Sequence, residues 1–176
     1  MPSMFRDLRA DEIECRVAQA TEKGVSLLLY KDARVDQNIL DETVGPLCWT
    51  RRHTRDNTNC VVAIWDNEKK AWIEKEDTGT ECNTYKEKGL ASDSFKRACF
   101  NWGIGRELYT APFIWINAED CKSLKQNGQR WQCRDTFSVR KIKIENKRIV
   151  GLAIRNDKTG KTCFIWQEKG GNNDEG

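Results

Sequence analysis

Three short runs of strand-forming residues, followed by an amphipathic helix, constrain the fold of this chain more than any other feature. The runs are LCWTRRHT, NCVVAIWD and AWIEKED, and the polar segment DNEKK joins the last two. β-Branched and aromatic residues bounded by polar turn residues are typical of antiparallel strands. The joining segment is short enough for a hairpin, so we expect neighbouring strands to pair.

The predicted helix lies in the stretch GLASDSFKRACFNWGIGRELY, which runs from Gly89 to Tyr109. Thr84 and Glu87 fit a capping box that starts the helix earlier. At about 100° per residue, its apolar residues share one face that is wide enough to pack on a sheet. These apolar residues are Ala91, Phe95, Ala98, Cys99 and Trp102. The adjacent cations Lys96 and Arg97 fall away from this face.

The segments on either side complete the predicted fold. Upstream, the helical spacing of Ile13, Val17 and Ala20 predicts a first helix. The strand VSLLLY follows it, and residues 32–44 have the spacing of a second helix. Downstream, DTFSVRKIKIE, KRIVGLAIR and KTCFIWQ read as three strands joined by turns. We therefore predict an α+β fold. It has an antiparallel β-β-β-α core with N-terminal helices, followed by a small C-terminal antiparallel β meander.

This organisation predicts three segments. Residues 1–118 form the core, residues 119–168 form a basic β-meander extension, and residues 169–176 form a disordered tail. The strand SVRKIKIE mixes apolar and basic residues in both of its alternating phases. A β-bulge that shifts the register, or lysine stems that cover apolar surface, would reconcile this pattern with a half-buried strand.

Charge is distributed unevenly along the chain. The formal net charge is only +3. The segment between Cys121 and Gln167 contains 12 Lys or Arg and only 3 Asp or Glu. The segment from Asp66 to Glu81, by contrast, is rich in acidic residues. A one-sided basic surface favours a polyanionic partner. The alternative is that these long side chains serve solubility alone. Lys141 and Lys143 are the candidate binding residues of the meander.

The cysteines do not indicate a metal site or a cofactor. The chain has 8 Cys without a Cys-x-x-Cys pair, and its single histidine is His53. We expect these thiols to act as small apolar side chains. No apolar run reaches the length of a membrane span, and MPSMFRDLRADE lacks the apolar segment of a signal peptide. We expect an intracellular protein without a membrane partner.

Several motifs together resemble the Rad fifty-two family of single-strand annealing proteins, especially its short phage and prophage members. They are YKDARVDQNILDETVGPLCW, the hairpin, and EKGLASDSFKRACFNWGIGRELY, and they span roughly residues 12–112. The most specific parts are the Lys-Arg pair in the helix and the aromatic-glycine ending at Trp102 and Gly103. Family members often have a further arginine one helical turn after the pair, where this chain has Phe100.

The resemblance implies a DNA-binding protein and not an enzyme. In the family, the Lys-Arg pair contacts the phosphates of single-stranded DNA in a groove around a ring of protomers, and this role falls on Lys96 and Arg97. We expect a homo-oligomeric ring that anneals complementary strands in recombination and repair. A single-strand-binding protein is a further candidate partner. A phage origin would place the protein in the cytoplasm of a bacterial host.

Charge and position add four supporting cations to this site. Alternation along the first strand puts Arg51 and Arg52 on opposite sides, so at least one should face the groove. Lys86 and Lys88 extend the groove from the start of the helix.

Two other functions are consistent with parts of the sequence. A single-strand coating protein without annealing activity would need the same cations. A Mg-dependent nuclease is suggested by Glu68 and Lys70 with Asp56 or Asp66 upstream, since carboxylates hold the metal and a lysine assists the attacking water. However, Glu68 and Lys70 lie in the predicted hairpin turn, where polar side chains are expected in any case.

Overall fold

The structure, a computed structural model, describes residues 4–80 and 86–169, except for the side chains of residues 86–88. The predicted capping residue Thr84 lies outside the described residues, as does the predicted tail after Lys169. The described residues form an α+β protein whose sheets are antiparallel, which confirms the predicted class.

The helices are α1 (Ala33–Val44) and α2 (Lys86–Asn101), with short 3-10 turns at Ala10–Glu12, Arg106–Thr110 and Ala118–Asp120. The strands are β1 (Glu14–Thr21), β2 (Gly24–Tyr30), β3 (Trp49–Thr54), β4 (Asn59–Asp66), β5 (Ala71–Thr78), β6 (Ile114–Asn117), β7 (Lys125–Asn127), β8 (Arg130–Gln132), β9 (Phe137–Glu145), β10 (Arg148–Asn156) and β11 (Thr162–Gln167). Neither helix in the described residues has the length and apolarity needed to cross a membrane.

The chain divides into two compact units. Residues 1–7 and 31–106 form the first unit, and residues 8–30 and 107–176 form the second. The boundary predicted at residue 118 does not coincide with this division. The reason is that β1 and β2, which precede that boundary, share one sheet with the meander.

In the first unit, α2 packs on the antiparallel sheet β3-β4-β5. Phe95, Ala98 and Cys99 on the helix are fully buried, as is Val62 on the central strand. The indole N–H of Trp102 donates to the Val62 carbonyl at 3.0 Å. These contacts confirm the predicted apolar face of the helix, and β4 and β5 form the predicted hairpin.

The second predicted helix is also present, as α1. Asp32 caps its start by accepting a hydrogen bond from the Arg34 backbone N–H at 2.8 Å. Gly45 ends it with a positive φ of 89°. Ile39 and Leu40 are fully buried, so the helix is held by the apolar residues that predicted it.

The first predicted helix is wrong, because residues 14–21 form strand β1. β1 pairs with β2 along its length and with β9 at its start. A β-bulge between Val17 and Gln19 shifts the register, so that Val17 pairs with Leu27 and Ala20 with Val25 on the same face. The bulge therefore creates a spacing of three residues within a strand, and this spacing resembles that of a helix.

The second unit is built on a six-stranded sheet with the order β11-β10-β9-β1-β2-β6. The predicted meander is its β9-β10-β11 half. β6 and β11, at the two ends of the order, also approach each other. The core of this sheet contains Val25, Ile116, Ile149 and Ile154, all of which are fully buried.

The mixed pattern of β9 is resolved by a bulge. Its register against β10 shifts between the Val139 and Lys141 pairings, so Arg140 is the extra residue. Val139 and Ile142 consequently lie on the same apolar face, while Lys141 and Lys143 are exposed on the other. The predicted register shift therefore explains the mixed apolar and basic pattern of this strand.

Candidate nucleic-acid interface

The adjacent cations Lys96 and Arg97 lie in the second half of α2, beside its packing face. Their neighbours Phe95 and Ala98 are fully buried, whereas the two cations are half-buried. Long basic side chains at the border of an apolar face keep their stems against the protein and their charges near solvent. The pair therefore occupies one side of the helix that does not pack on the sheet.

Arg97 forms an ion pair with Asp93, one helical turn earlier. Its Nε lies 3.0 Å from Asp93 Oδ2, which also accepts a hydrogen bond from the Thr80 backbone N–H at 2.8 Å. Burial acts to raise the pKa of Asp93, but the hydrogen bonds from Thr80 and Arg97 outweigh it and hold the pKa below its ordinary value. Asp93 is thus ionised at neutral pH and competes for Arg97 with any approaching phosphate.

Lys96 lies within electrostatic reach of the start of α1. Hydrogen bonds from Arg34 lower the pKa of the capping residue Asp32, and the charge of Lys96 adds to that effect. Both members of the cation pair therefore have acidic neighbours within the first unit.

Arg51 and Arg52 point to opposite faces of the sheet, as alternation along β3 predicts. The Arg51 guanidinium lies 5.0 Å from the centroid of the Phe95 ring, on the face that carries α2. Arg52 lies on the other face, where its guanidinium is 3.6 Å from Glu74. Arg51 is therefore the member of the pair that shares a face with the helix.

A further cation, Arg106, reaches the end of α2, although sequence reasoning missed it. Gly103 and Gly105 have positive φ angles of 98° and 74° and turn the chain back at this end of the helix. Arg106 donates to the carbonyls of Phe100 and Asn101 at 2.8 and 2.9 Å, and its guanidinium lies 5.5 Å from the Phe100 ring. The two closely spaced glycines were the available signal for this reversal.

The same turn packs against a buried ion pair. Lys31 Nζ lies 2.5 Å from the carboxylate of Asp36, and the two side chains are 7% and 0% exposed. A Cβ on Gly105 would lie 2.3 Å from Lys31 Cε, which adds to the preference for glycine that its φ already imposes. Burial raises the pKa of Asp36 to about 6, although Lys31 opposes the rise.

The four remaining predicted cations do not add to the described site on α2. The side chains of two are not described, and the other two belong to the second unit. Lys86 and Lys88 lie in the first turn of α2, but their side chains are outside the described part of the chain. Lys141 and Lys143 lie on the exposed face of β9, where Lys143 Nζ is 2.8 Å from Glu145. They form a candidate surface of the second unit.

No protein-family model, curated protein or solved structure matches this chain. The role of the cations around α2 is therefore inferred from their chemistry. Lys96 and Arg97 border the packing face of α2, and Arg51 and Arg106 lie over two of its aromatic rings. Ammonium and guanidinium groups bind phosphate oxygens, and aromatic faces can stack with bases.

Three residues of the nuclease alternative, Asp66, Glu68 and Lys70, lie at the turn between β4 and β5. Asp66 accepts hydrogen bonds from the backbone N–H groups of Glu68 and Lys69 at 2.9 Å each, and Lys70 has a left-handed φ of 52°. Aspartate commonly closes a hairpin loop in this way. Within residues 4–80 and 86–169, no compact group of three metal-binding side chains includes these residues.

Proposed function

We propose that this protein binds single-stranded DNA and anneals complementary strands in recombination and repair, as a member of the Rad fifty-two family. The observation that carries the proposal is the placement of Lys96 and Arg97 side by side on α2. The guanidinium groups of Arg51 and Arg106 lie over rings of the same helix and add to its positive charge. Cations on and beside a packed helix suit a polyanionic backbone.

The kind of contact matters as much as the charge. An annealing protein has to hold a strand while leaving the pairing edges of the bases open. Contacts to phosphates carry no sequence information and leave those edges accessible. Lys96 and Arg97 can supply such contacts from a helix whose position is set by its buried face.

The order of elements in the first unit is consistent with the family. α1 is followed by β3, β4 and β5, and then by α2, which packs on the resulting sheet. The family core has a helix, three strands and a helix in this order, with the cation pair on the last helix. The assignment of residues 31–106, a part of the predicted core that lies in the first unit, to that family core is part of the proposal.

A homo-oligomer, in the form of a ring, is also part of the proposal. Each protomer offers few cations, and Asp93 competes for one of them. Useful affinity then requires several protomers on one strand, because linked weak contacts gain from a high effective concentration.

The test is the binding of a labelled oligothymidylate over a series of salt concentrations, combined with the annealing rate of complementary strands. Replacing Lys96 and Arg97 with Ala should weaken binding and slow annealing. If both contact phosphates, the negative slope of log affinity against log salt should become less steep by about 1.4, since each contact to a single strand contributes about −0.7. The matched control replaces Lys69 and Lys70, which are adjacent exposed cations of the hairpin turn.

Asp93→Asn should act in the opposite direction and strengthen binding. It removes the competing charge, while its amide oxygen can still accept the hydrogen bond from Thr80. Unchanged affinity in the Lys96 and Arg97 double variant would contradict the proposal. A parental protein that binds the strand but does not speed annealing would instead be a coating protein.

A further inference from the structure

Two cysteines and a carboxylate converge at the base of the β7-β8 hairpin. Cys121 precedes the hairpin, Cys133 follows it, and Asp135 comes two residues later. Their sulfur and carboxylate oxygen atoms all lie within 4.8 Å of one another. The pairing of β7 with β8 brings the two cysteines together, although they are 12 residues apart and no Cys-x-x-Cys motif marks them.

Asp135 is buried and held in a fixed orientation. Its Oδ1 accepts a hydrogen bond from Ser123 Oγ at 2.5 Å. Its Oδ2 accepts from the Lys122 backbone N–H at 2.6 Å and from Asn156 Nδ2 at 2.8 Å. These bonds use three of roughly four lone-pair positions of a carboxylate. Hydrogen bonds of this kind are what orient a metal-binding carboxylate in proteins.

Cys163 supplies a third sulfur in the same region. It is half-buried and lies at a bulge of β11, where the register against β10 shifts between Ile154 and Arg155. A bulge re-aims the side chain of its extra residue. The Cys163 Sγ donates a hydrogen bond to the Ile154 carbonyl at 3.6 Å, so Cys163 lies beside the compact group formed by Cys121, Cys133 and Asp135 and is not part of it.

We propose that this cluster is a zinc-binding site with Cys121, Cys133 and Asp135 as ligands. Zinc favours tetrahedral sites in which sulfur lies at about 2.3 Å and carboxylate oxygen at about 2.1 Å. Ligand atoms of such a site are about 3.5 to 3.8 Å apart. The three atoms observed within 4.8 Å therefore have to move by only about 1 Å. Binding displaces the proton of each thiol to solvent.

The location gives the metal a structural role. β7 and β8 have three residues each and are mostly exposed, and an isolated two-stranded hairpin is only marginally stable in water. A metal that joins Cys121 to Cys133 closes this hairpin at its base and connects it to Asp135. The inference is independent of the proposed DNA binding.

The test uses the full chain, reduced and then freed of metal with a chelator. Zn²⁺ binding is measured by competition with a colorimetric chelator, and Co²⁺ reports thiolate ligation through its visible absorption. We expect one Zn²⁺ per chain, and loss of binding in Cys121→Ser and in Cys133→Ser. Ser123→Ala, which removes a hydrogen bond to Asp135, should weaken binding about 10- to 100-fold. Cys48→Ser, at a half-buried cysteine of the first unit, is the matched control.

A second measurement keeps the test valid if a serine variant fails to fold. In the parental chain, Zn²⁺ should protect Cys121 and Cys133 from alkylation, relative to Cys48. Absence of stoichiometric binding, or equal alkylation of Cys121 and Cys133 with and without Zn²⁺, would overturn the proposal. So would a Cys121–Cys133 disulfide in the isolated chain combined with no Co²⁺ absorption after reduction.

Discussion

Lys31 and Asp36 form an ion pair that is almost completely removed from solvent. Taking two charges out of water costs several kcal/mol for each ion, and their mutual attraction has to recover that cost. The raised pKa of Asp36 indicates that burial outweighs the attraction of Lys31 for the charged carboxylate. The pair is therefore expected to specify how the Gly105 turn packs rather than to add stability.

Lys31→Met should destabilise the fold by about 3 to 5 kcal/mol above neutral pH, because it leaves the Asp36 carboxylate buried without a partner. The double variant Lys31→Met, Asp36→Leu should be as stable as the parent or more stable, since no buried charge remains. Urea denaturation measures both. Arg52→Met, which breaks the exposed pair with Glu74, is the control and should change stability by less than about 1 kcal/mol.

The loss in Lys31→Met should also depend on pH. The folded pKa of Asp36 lies above its ordinary value of 3.8, so its favourable contribution is present at low pH and disappears as the pH rises through the folded pKa. Without Lys31 that pKa rises further. The deficit of the variant should therefore grow between about pH 5 and pH 8. A deficit that is constant over this range would show that Asp36 is not the cause.

At the scale of secondary-structure elements, bulges decide which side chains face the core and which face solvent. In β9 the bulge at Arg140 places Val139 and Ile142 on the apolar face. Lys141 and Lys143 are on the exposed face, where they could contact a second DNA strand or duplex. The same exposure is also what a merely solvated face would have.

Reversing both charges, Lys141→Glu with Lys143→Glu, separates these two roles. If β9 contacts a second strand, annealing should slow more than first-strand binding weakens, and the salt dependence of annealing should flatten. The control is the reversal of Lys161 and Lys169, two exposed cations of the same unit. Annealing at the parental rate would identify the lysines of β9 as a solvated surface.

At the scale of the whole molecule, the proposed function depends on assembly. The cations that accompany α2 are few, and both members of its central pair have acidic neighbours. A single protomer should therefore bind a strand weakly, and a stable complex should need several. This expectation can be tested without any knowledge of the interface between protomers.

Light scattering with size-exclusion chromatography should give a mass that is a multiple of the 20.4 kDa chain, and imaging should show rings. The Lys96 and Arg97 double Ala variant should still assemble, because the proposal places these residues against DNA and not against another protomer. A monomer both with and without oligothymidylate would contradict the assembly.

Features that depend on neighbours in the sequence could be predicted directly. The apolar stripe of α2, with Phe95 and Cys99, requires only residues within a few helical turns. Asp32 and Gly45 mark the ends of α1 through their own side-chain and backbone chemistry. The hairpin of β4 and β5 follows from alternation and a short polar turn. In each case the interaction that stabilises the element is also local.

Features that depend on distant partners were decided only by the tertiary structure. The spacing of Ile13, Val17 and Ala20 fits a helix, but in the structure it results from a bulge in the pairing of β1 with β2. Arg106 reaches Phe100 through a turn whose path is set by packing on Lys31. Cys121 and Cys133 meet because β7 pairs with β8. A strand has no internal hydrogen bonds, so its register and bulges depend on which strand becomes its partner, and the local pattern does not contain that information.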